Sequence, residues 1–455
     1  MITGKGANAV DASKTINASP TKDFFISILG RDITLIDSVK DLVDNCVDGA
    51  RRIRPNNDYT GLSVSIEISP SHFLIVDNCG GIPVEIARDY AFRFGRPANA
   101  PTTDGSIGQF GVGMKRALFK IGDQFEIKSK SATSSFSLTV DVNLWKKRFD
   151  EKGREVWELE FDEVNEQETN PSSDLGTTLQ VTRLHPTIAT EFGTAVFTNR
   201  LAAGLQEAHE QSMERGLEIE VNDIQLHHRM ATLLSSPEIK SLRISKTFPA
   251  DPNNGLSANV QLTIYAGVSD SDFGSSGWHV ICNGRQILKS DKTSLTGWDT
   301  ATEEVTTPKA HNQFARFRGF AVFESVDAKA LPWNTSKSGI DVESRVFQWA
   351  KSEMVSALRQ VIDFLNKLDA EIGSESVRLK SALNRAVPTK LSAIQESSVF
   401  RFPSEDEPQS TPKTLRMTFE RPTDEVEFAR EFFGVTSAKR AAERAFEYFI
   451  ERERS

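Results

Sequence analysis

Cysteine is scarce in this 455-residue chain, and Cys46, Cys79 and Cys282 stand far apart. That spacing excludes a disulfide framework and a zinc site built from cysteines alone, and it fits a reducing compartment. Long apolar runs are also lacking. No stretch approaches the ~18 apolar residues that a membrane span needs, which excludes a bilayer-embedded chain. Residues 1–22 are polar and carry no apolar segment of the secretory kind, so a cytosolic or nuclear address is expected. Positive charge is in deficit: 54 Lys and Arg against 63 Asp and Glu give a net −9. This disfavours non-specific nucleic-acid binding by the whole surface and leaves local basic patches open. The histidines, His227 and His228 included, lack metal-ligand spacing, and the tryptophans share no period, so both read as surface or packing residues.

What is present suffices for two or three full-sized cores, at roughly 150 residues per domain. After a polar leader (1–22), an α/β domain is expected over 23–186. It opens with a helical stretch from Asp23 to Arg52 and continues as short apolar strands between glycine-rich loops. Residues 151–174 are acidic and read as a surface hairpin or insertion. A second, β-rich domain is expected over 187–372. It starts with a helix to about Gly216, contains an Asn283-Gly284 hairpin signal, and ends in an amphipathic helix from Val342 to about Leu368. A helical and linker segment (373–413) precedes a small β-α-α module (414–455), whose strand carries Leu415, Met417 and Phe419.

Chemistry concentrates in three places. On the helix around Asp37–Ala50, a step of about 100° per residue puts Asp37, Asp41, Asn45 and Asp48 in one sector, with Val39, Leu42, Val43, Cys46, Val47 and Ala50 opposite. Stacked acids on a helix repel one another unless a cation or ligand compensates them, and carboxylate and amide oxygens suit Mg²⁺. Next, the apolar run Phe73–Val76 delivers Asp77 into Asn78-Cys79-Gly80-Gly81-Ile82-Pro83. Glycines in such a turn let a ligand approach the backbone, and the carboxylate can accept from an exocyclic amine. Third, Gly105, Gly108, Gly111 and Gly113 punctuate a loop that runs into a helix. Its N–H groups suit phosphate oxygens, with Lys115 or Arg116 adding charge. The loop has neither a Walker ending nor a dinucleotide-fingerprint context.

The order of these features, followed by Gly176-Thr177-Thr178 opening a strand, resembles the GHKL ATPase superfamily: gyrase-type topoisomerases, heat-shock chaperone ATPases, histidine kinases and MutL. Gly108 to Leu118 (GQFGVGMKRAL) is most similar to the MORC-like branch. The resemblance implies a Bergerat-type α+β sandwich that binds ATP with Mg²⁺ at Asn45. Asp77 would then read the adenine amine beside Gly81 and Ile82, with Asp48 near the base or ribose. Gly105, Gly108, Gln109, Phe110, Gly111, Val112, Gly113 and Lys115 would wrap the triphosphate, and Thr177 would support the adenine pocket. Two positions depart from the family pattern. The general base, usually Glu, corresponds to Asp41, one methylene shorter, so slow hydrolysis is expected. Cys79 replaces a common glycine.

A β-rich domain after the ATPase domain resembles the transducer of topoisomerase-like, MutL-like and MORC-like members, whose loop sends a lysine to the γ-phosphate. Here that loop is 331–341, and its lysine is Lys337. The implied function is an ATP-gated dimerisation switch of hydrolase type, in which the chain pairs with itself. DNA and a nuclease or helicase partner are implied by analogy with the relatives, in DNA maintenance or defence. The alternative is a nucleotide-binding scaffold without significant hydrolysis that organises a partner effector. A histidine kinase would need a His-bearing helical segment before Asp37, and a chaperone would need long client domains; the chain shows neither. A basic bias over 376–402 can touch a nucleic-acid backbone, and the β-α-α tail faintly resembles a ribbon-helix-helix dimer module.

Overall fold

The computed structural model describes residues 18–31, 33–95, 97, 103–108, 111–167, 175–301, 306–371, 377–403 and 420–453. The chain divides into a unit of residues 1–403 and a unit of residues 404–455.

The larger unit is built on two large sheets and a two-stranded one. The first is eight-stranded, in the order β5-β4-β3-β6-β2-β1-β7-β8. Its strands are β1 (Ser63–Ile68), β2 (Phe73–Asp77), β3 (Gly122–Lys130), β4 (Ser135–Asp141), β5 (Glu163–Asn165), β6 (Gly176–Leu184), β7 (Glu218–Val221) and β8 (Ile224–Gln225). Alternate residues point inward: Val64, Ile66, Ile68, Phe73, Ile75, Phe125, Ile127, Leu179 and Val181 are buried. The acidic helix Leu35–Ile53 supplies Val39, Leu42, Val43, Val47 and Ala50 to the same core. It starts where Thr34 caps it, its Oγ1 accepting the Asp37 N–H at 3.1 Å. The helical stretch expected from Asp23 is therefore two helices, Lys22–Arg31 and Leu35–Ile53, interrupted at this cap.

The second sheet has the order β10-β11-β14-β12-β13. After β9 (Thr232–Ser235) come β10 (Leu242–Phe248), β11 (Val260–Val268), β12 (Gly277–Cys282), β13 (Arg285–Asp291), β14 (Phe317–Glu324) and finally β15 (Val387–Lys390), which pairs with β9. The helix Arg345–Ala370 packs on β11 and β14 and buries Phe347, Ala350, Met354, Leu358, Val361 and Leu365, a helical period of three and four. The β12–β13 turn is Asn283-Gly284 with φ of +46° and +82°, the positive pair a two-residue hairpin needs.

The sequence boundary at residue 187 falls inside the first layer. β7 pairs in parallel with β1, so this sheet runs on to Gln225. The helix expected to about Gly216 is three: Pro186–Phe192, Ala195–Ala208 and Glu210–Glu214, broken at Gly193 and His209. The acidic stretch 151–174 contributes β5 to the sheet edge.

In the smaller unit, helices Thr423–Phe433 and Ala438–Glu453 form a hairpin. Gly434 terminates the first at φ +65°, and Phe432 and Phe433 touch Tyr448. The strand expected at 415–419, the linker 404–413 and most of the leader 1–22 lie outside the described residues.

Candidate functional site

A cavity of about 330 Å³ opens between the acidic helix, the ends of β2 and β6, the glycine loop and the loop that carries Lys337. A wider depression of about 750 Å³, around Val76, Lys128 and Thr178, includes none of Asp41, Asn45 and Lys337.

At one end of the cavity, β2 terminates in Asp77, and register places Asp77 opposite Thr177 on β6. The Asp77 Oδ1 accepts the Cys79 N–H at 2.8 Å. Burial raises the Asp77 pKa, against the pull of that hydrogen bond. Thr177 Oγ1 lies 3.0 Å from Ser129 Oγ, which accepts the Ile82 N–H at 2.7 Å. The turn requires glycine at 81, where φ is +65° and a Cβ would stand 2.0 Å from the Lys130 carbonyl oxygen. Cys79 does not adopt a positive φ, so the backbone accepts a side chain there. Burial pushes the Cys46 and Cys79 thiols well up, which makes both inert.

The glycine loop is held from below. Asp48 accepts the N–H groups of Ile107 and Gly108, one on each oxygen, at 2.7 Å. Asp48 thus anchors the loop with both carboxylate oxygens, where the sequence placed it beside a base or ribose. Gly105 and Gly111 have φ of +69° and +65°; Gln109 and Phe110 lie outside the described residues. Beyond Val112, the helix Gly113–Ile121 begins so close to Asp41 that a Cβ at residue 113 would sit 3.1 Å from its Oδ2. Lys115 lines the cavity and donates to the Ala91 carbonyl at 2.7 Å; burial pulls its pKa down to about 7.

At the other end stands a chain of charges. Asp41 is buried; its Oδ2 pairs with Arg116 at 2.6 Å and its Oδ1 lies 3.2 Å from Lys337 Nζ. Asn45 is the exposed residue in the otherwise buried run 41–47. Its amide nitrogen donates to the Asp41 carbonyl at 3.0 Å, and the residue lines the cavity. Lys337, with φ of +51°, comes from the loop between β14 and the long helix. Burial opposes its charge, but Asp44 and Asp41 outweigh burial and raise its pKa.

Sequence reasoning missed Asp44, Arg285, His209 and Asn283. Asp44 is fully buried; Lys337 donates to its Oδ2 at 2.7 Å, and Arg285 Nε is 3.1 Å from its Oδ1. Burial pushes the Asp44 pKa up, yet the Lys337 and Arg285 charges bring it down to about 2. Asn283 Nδ2 donates to the carbonyls of Ser106 and Ser325, and Arg51 donates to the Asn283 carbonyl at 3.0 Å, so the hairpin tip of the second sheet is tied to the glycine loop. Only the Asn-Gly pair carried a local signal, and that signal was for a turn.

The lining fits a nucleotide; among the described residues no group of three or more His, Cys, Asp or Glu side chains is placed to hold a metal ion. Asp77 offers a carboxylate at the end of a slot closed by Ile82 and Thr177, glycine 113 keeps space open beside Asp41, and Asn45 lines the cavity. Residues 33–170 match the family described as histidine kinase-, DNA gyrase B-, and HSP90-like ATPase. This match supports a GHKL-type ATPase domain. It takes in Asp41, Asn45, Asp77 and the glycine loop, and stops short of Thr177, Arg285 and Lys337. Comparison with curated proteins gives no match. Among the described residues, no helix is long and apolar enough to cross a membrane.

Proposed function

We propose that the chain binds Mg²⁺-ATP, hydrolyses it slowly, and uses the bound nucleotide as a conformational switch. The observation that carries this reading is Lys337, which enters the cavity from the second sheet's side and ends 3.2 Å from Asp41. Asp77 would hold the adenine amine and the glycine loop the phosphates. The Asn45 oxygen would hold Mg²⁺, which neutralises phosphate charge. Asp41 would take the proton from the attacking water, and Lys337 would meet the γ-phosphate. Both Asp41 oxygens are engaged by cations here, so turnover requires Lys337 to move off the base. A lysine whose partner depends on the nucleotide couples occupancy to the angle of the β14–helix loop.

The switch would act through ATP-dependent pairing of two copies, in a DNA-related complex with a nuclease or helicase. The order of motifs and the β-rich second sheet support the MORC-like and MutL-like branch; Arg378, Lys380, Lys390 and Arg401 offer basic groups for a nucleic-acid backbone. The engagement of both Asp41 oxygens also favours a second reading, a scaffold that binds ATP without turnover. Phosphate release with Mg²⁺-ATP, with and without duplex DNA, tests both readings against Asp41→Asn and Lys337→Ala. Release that falls in both variants supports the hydrolase, and stimulation by DNA supports the DNA-related role. Bound ATP with no release leaves the scaffold.

A further inference from the structure

Five side chains at the inner end of the cavity form one alternating series: Arg116, Asp41, Lys337, Asp44 and Arg285. All are buried, and the links are 2.6, 3.2, 2.7 and 3.1 Å. They come from four parts of the chain: the helix after the glycine loop, the acidic helix, the β14–helix loop and the first residue of β13. His209 lies 3.7 Å from Asp44, but burial, reinforced by Arg285, holds its pKa down to about 3, so it stays neutral at ordinary pH. The series therefore holds three cations and two carboxylates.

The excess cation matters because Asp44 has no exposure. A buried carboxylate stripped of its counter-ion is strongly disfavoured. If Lys337 turned away from Asp44 with nothing behind it, that cost would hold it in place. Arg285 stands on the other oxygen, close enough for an ion pair but not aligned for a hydrogen bond, and its Nε and Nη1 have no hydrogen-bond partner among the described residues. It is a cation in reserve: a small rotation gives Asp44 a full partner. Arg116 already donates to the Asp41 Oδ2 at 2.6 Å, so Asp41 keeps a partner when the lysine leaves.

We infer that Asp44 is the resting seat of Lys337 and that Arg285 is the positioning residue that lets the lysine leave it for the phosphates. This rests on the reading of Lys337 as the phosphate-sensing lysine. Arg285 follows directly on the hairpin tip that Asn283 ties to the glycine loop, so release of the lysine is linked to the state of that loop.

The test compares the full-length wild type with Arg285→Gln, Asp44→Asn, the double variant and Lys337→Ala. It measures affinity for a fluorescent ATP analogue, phosphate release, and melting temperature as a check on folding. Arg285→Gln is expected to lose at least tenfold in kcat with KM changed less than threefold, because the lysine stays on Asp44. The double variant, which abolishes the seat as well, is expected to recover most of that kcat, a rescue that a packing role for Arg285 does not produce. Asp44→Asn alone is expected to bind the analogue severalfold more tightly, and this arm stands even if Arg285→Gln fails to fold or the wild type does not turn over. Wild-type kcat in Arg285→Gln, no recovery in the double variant, or unchanged or weaker binding by Asp44→Asn overturns the inference. A wild type that binds no nucleotide, or a Lys337→Ala variant that behaves like wild type, overturns the underlying reading and this one with it.

Discussion

Arg116 and Asp41 form a buried ion pair at 2.6 Å that ties the helix behind the glycine loop to the acidic helix. Breaking such a pair from one side leaves a charge with no water to take it. Arg116→Met is therefore expected to destabilise the fold, by less than the about 3–5 kcal/mol of a fully uncompensated buried charge because Lys337 still faces the other Asp41 oxygen. Adding Asp41→Asn should return part of that loss, because it removes the buried carboxylate that Arg116→Met leaves with Lys337 alone. Urea unfolding of the two variants reads this directly, and a double variant no more stable than Arg116→Met would contradict it.

Asp77 is where base recognition would fail. Asp77→Asn keeps the size and an oxygen for the Cys79 N–H, but loses the negative acceptor. Nucleotide affinity should drop about tenfold or more, the cost of one mispaired buried polar group, with little change in melting temperature. Titration with a fluorescent ATP analogue measures it; unaltered affinity would remove Asp77 from the site.

His209 gives the fold a pH dependence of definite sign. Its pKa is about 3 when folded, below the ordinary 6.5. Above 6.5 the ring is neutral in both states and costs nothing. As pH falls from there toward 3, only the unfolded chain takes up the proton, and stability is lost. Between about pH 7.5 and 5 the loss should be ~2 kcal/mol relative to His209→Gln. Chemical denaturation of both proteins across that range checks it, and parallel curves would show that the ring titrates normally.

Gly81 is constrained by both conformation and space. At φ +65° and 2.0 Å from the Lys130 carbonyl, an added methyl must displace main chain. Gly81→Ala should cost more than about 1 kcal/mol and weaken nucleotide binding, since the same turn carries Ile82 to Ser129. Gly61 also has a positive φ, but it has open space around its Cβ position, so Gly61→Ala serves as the control.

Much of the site was legible because its signals are local. Asp41, Asn45 and Asp48 of the acidic helix, the Asp77 turn, the glycine loop and Thr177 lie at fixed spacings in one stretch, and the cavity is lined from all of these parts, whereas Asp37 stays outside it, paired with Lys40. Lys337 was singled out by its position between a strand and a helix, and it lines the cavity. Asp44 was not found, because a lone acid beside Asn45 looks like part of a solvated face; what marks it is enclosure by Lys337, 293 residues away in sequence, and by Arg285 and His209. The boundary at 187 failed for a related reason: β7 reaches β1 by a parallel crossover, which leaves no local trace in sequence. Asp48 lines the same cavity, and its two oxygens serve the loop.

The tie between Asn283 and Ser106, together with the Gly105 N–H donated to the Val326 carbonyl, has an evolutionary reading. The two sheets cannot be exchanged as separate modules. A chimera that took its second sheet from elsewhere would have to bring a cation for Asp44 and a hairpin tip for the glycine loop in the same graft, so these positions should be inherited as a set and change together.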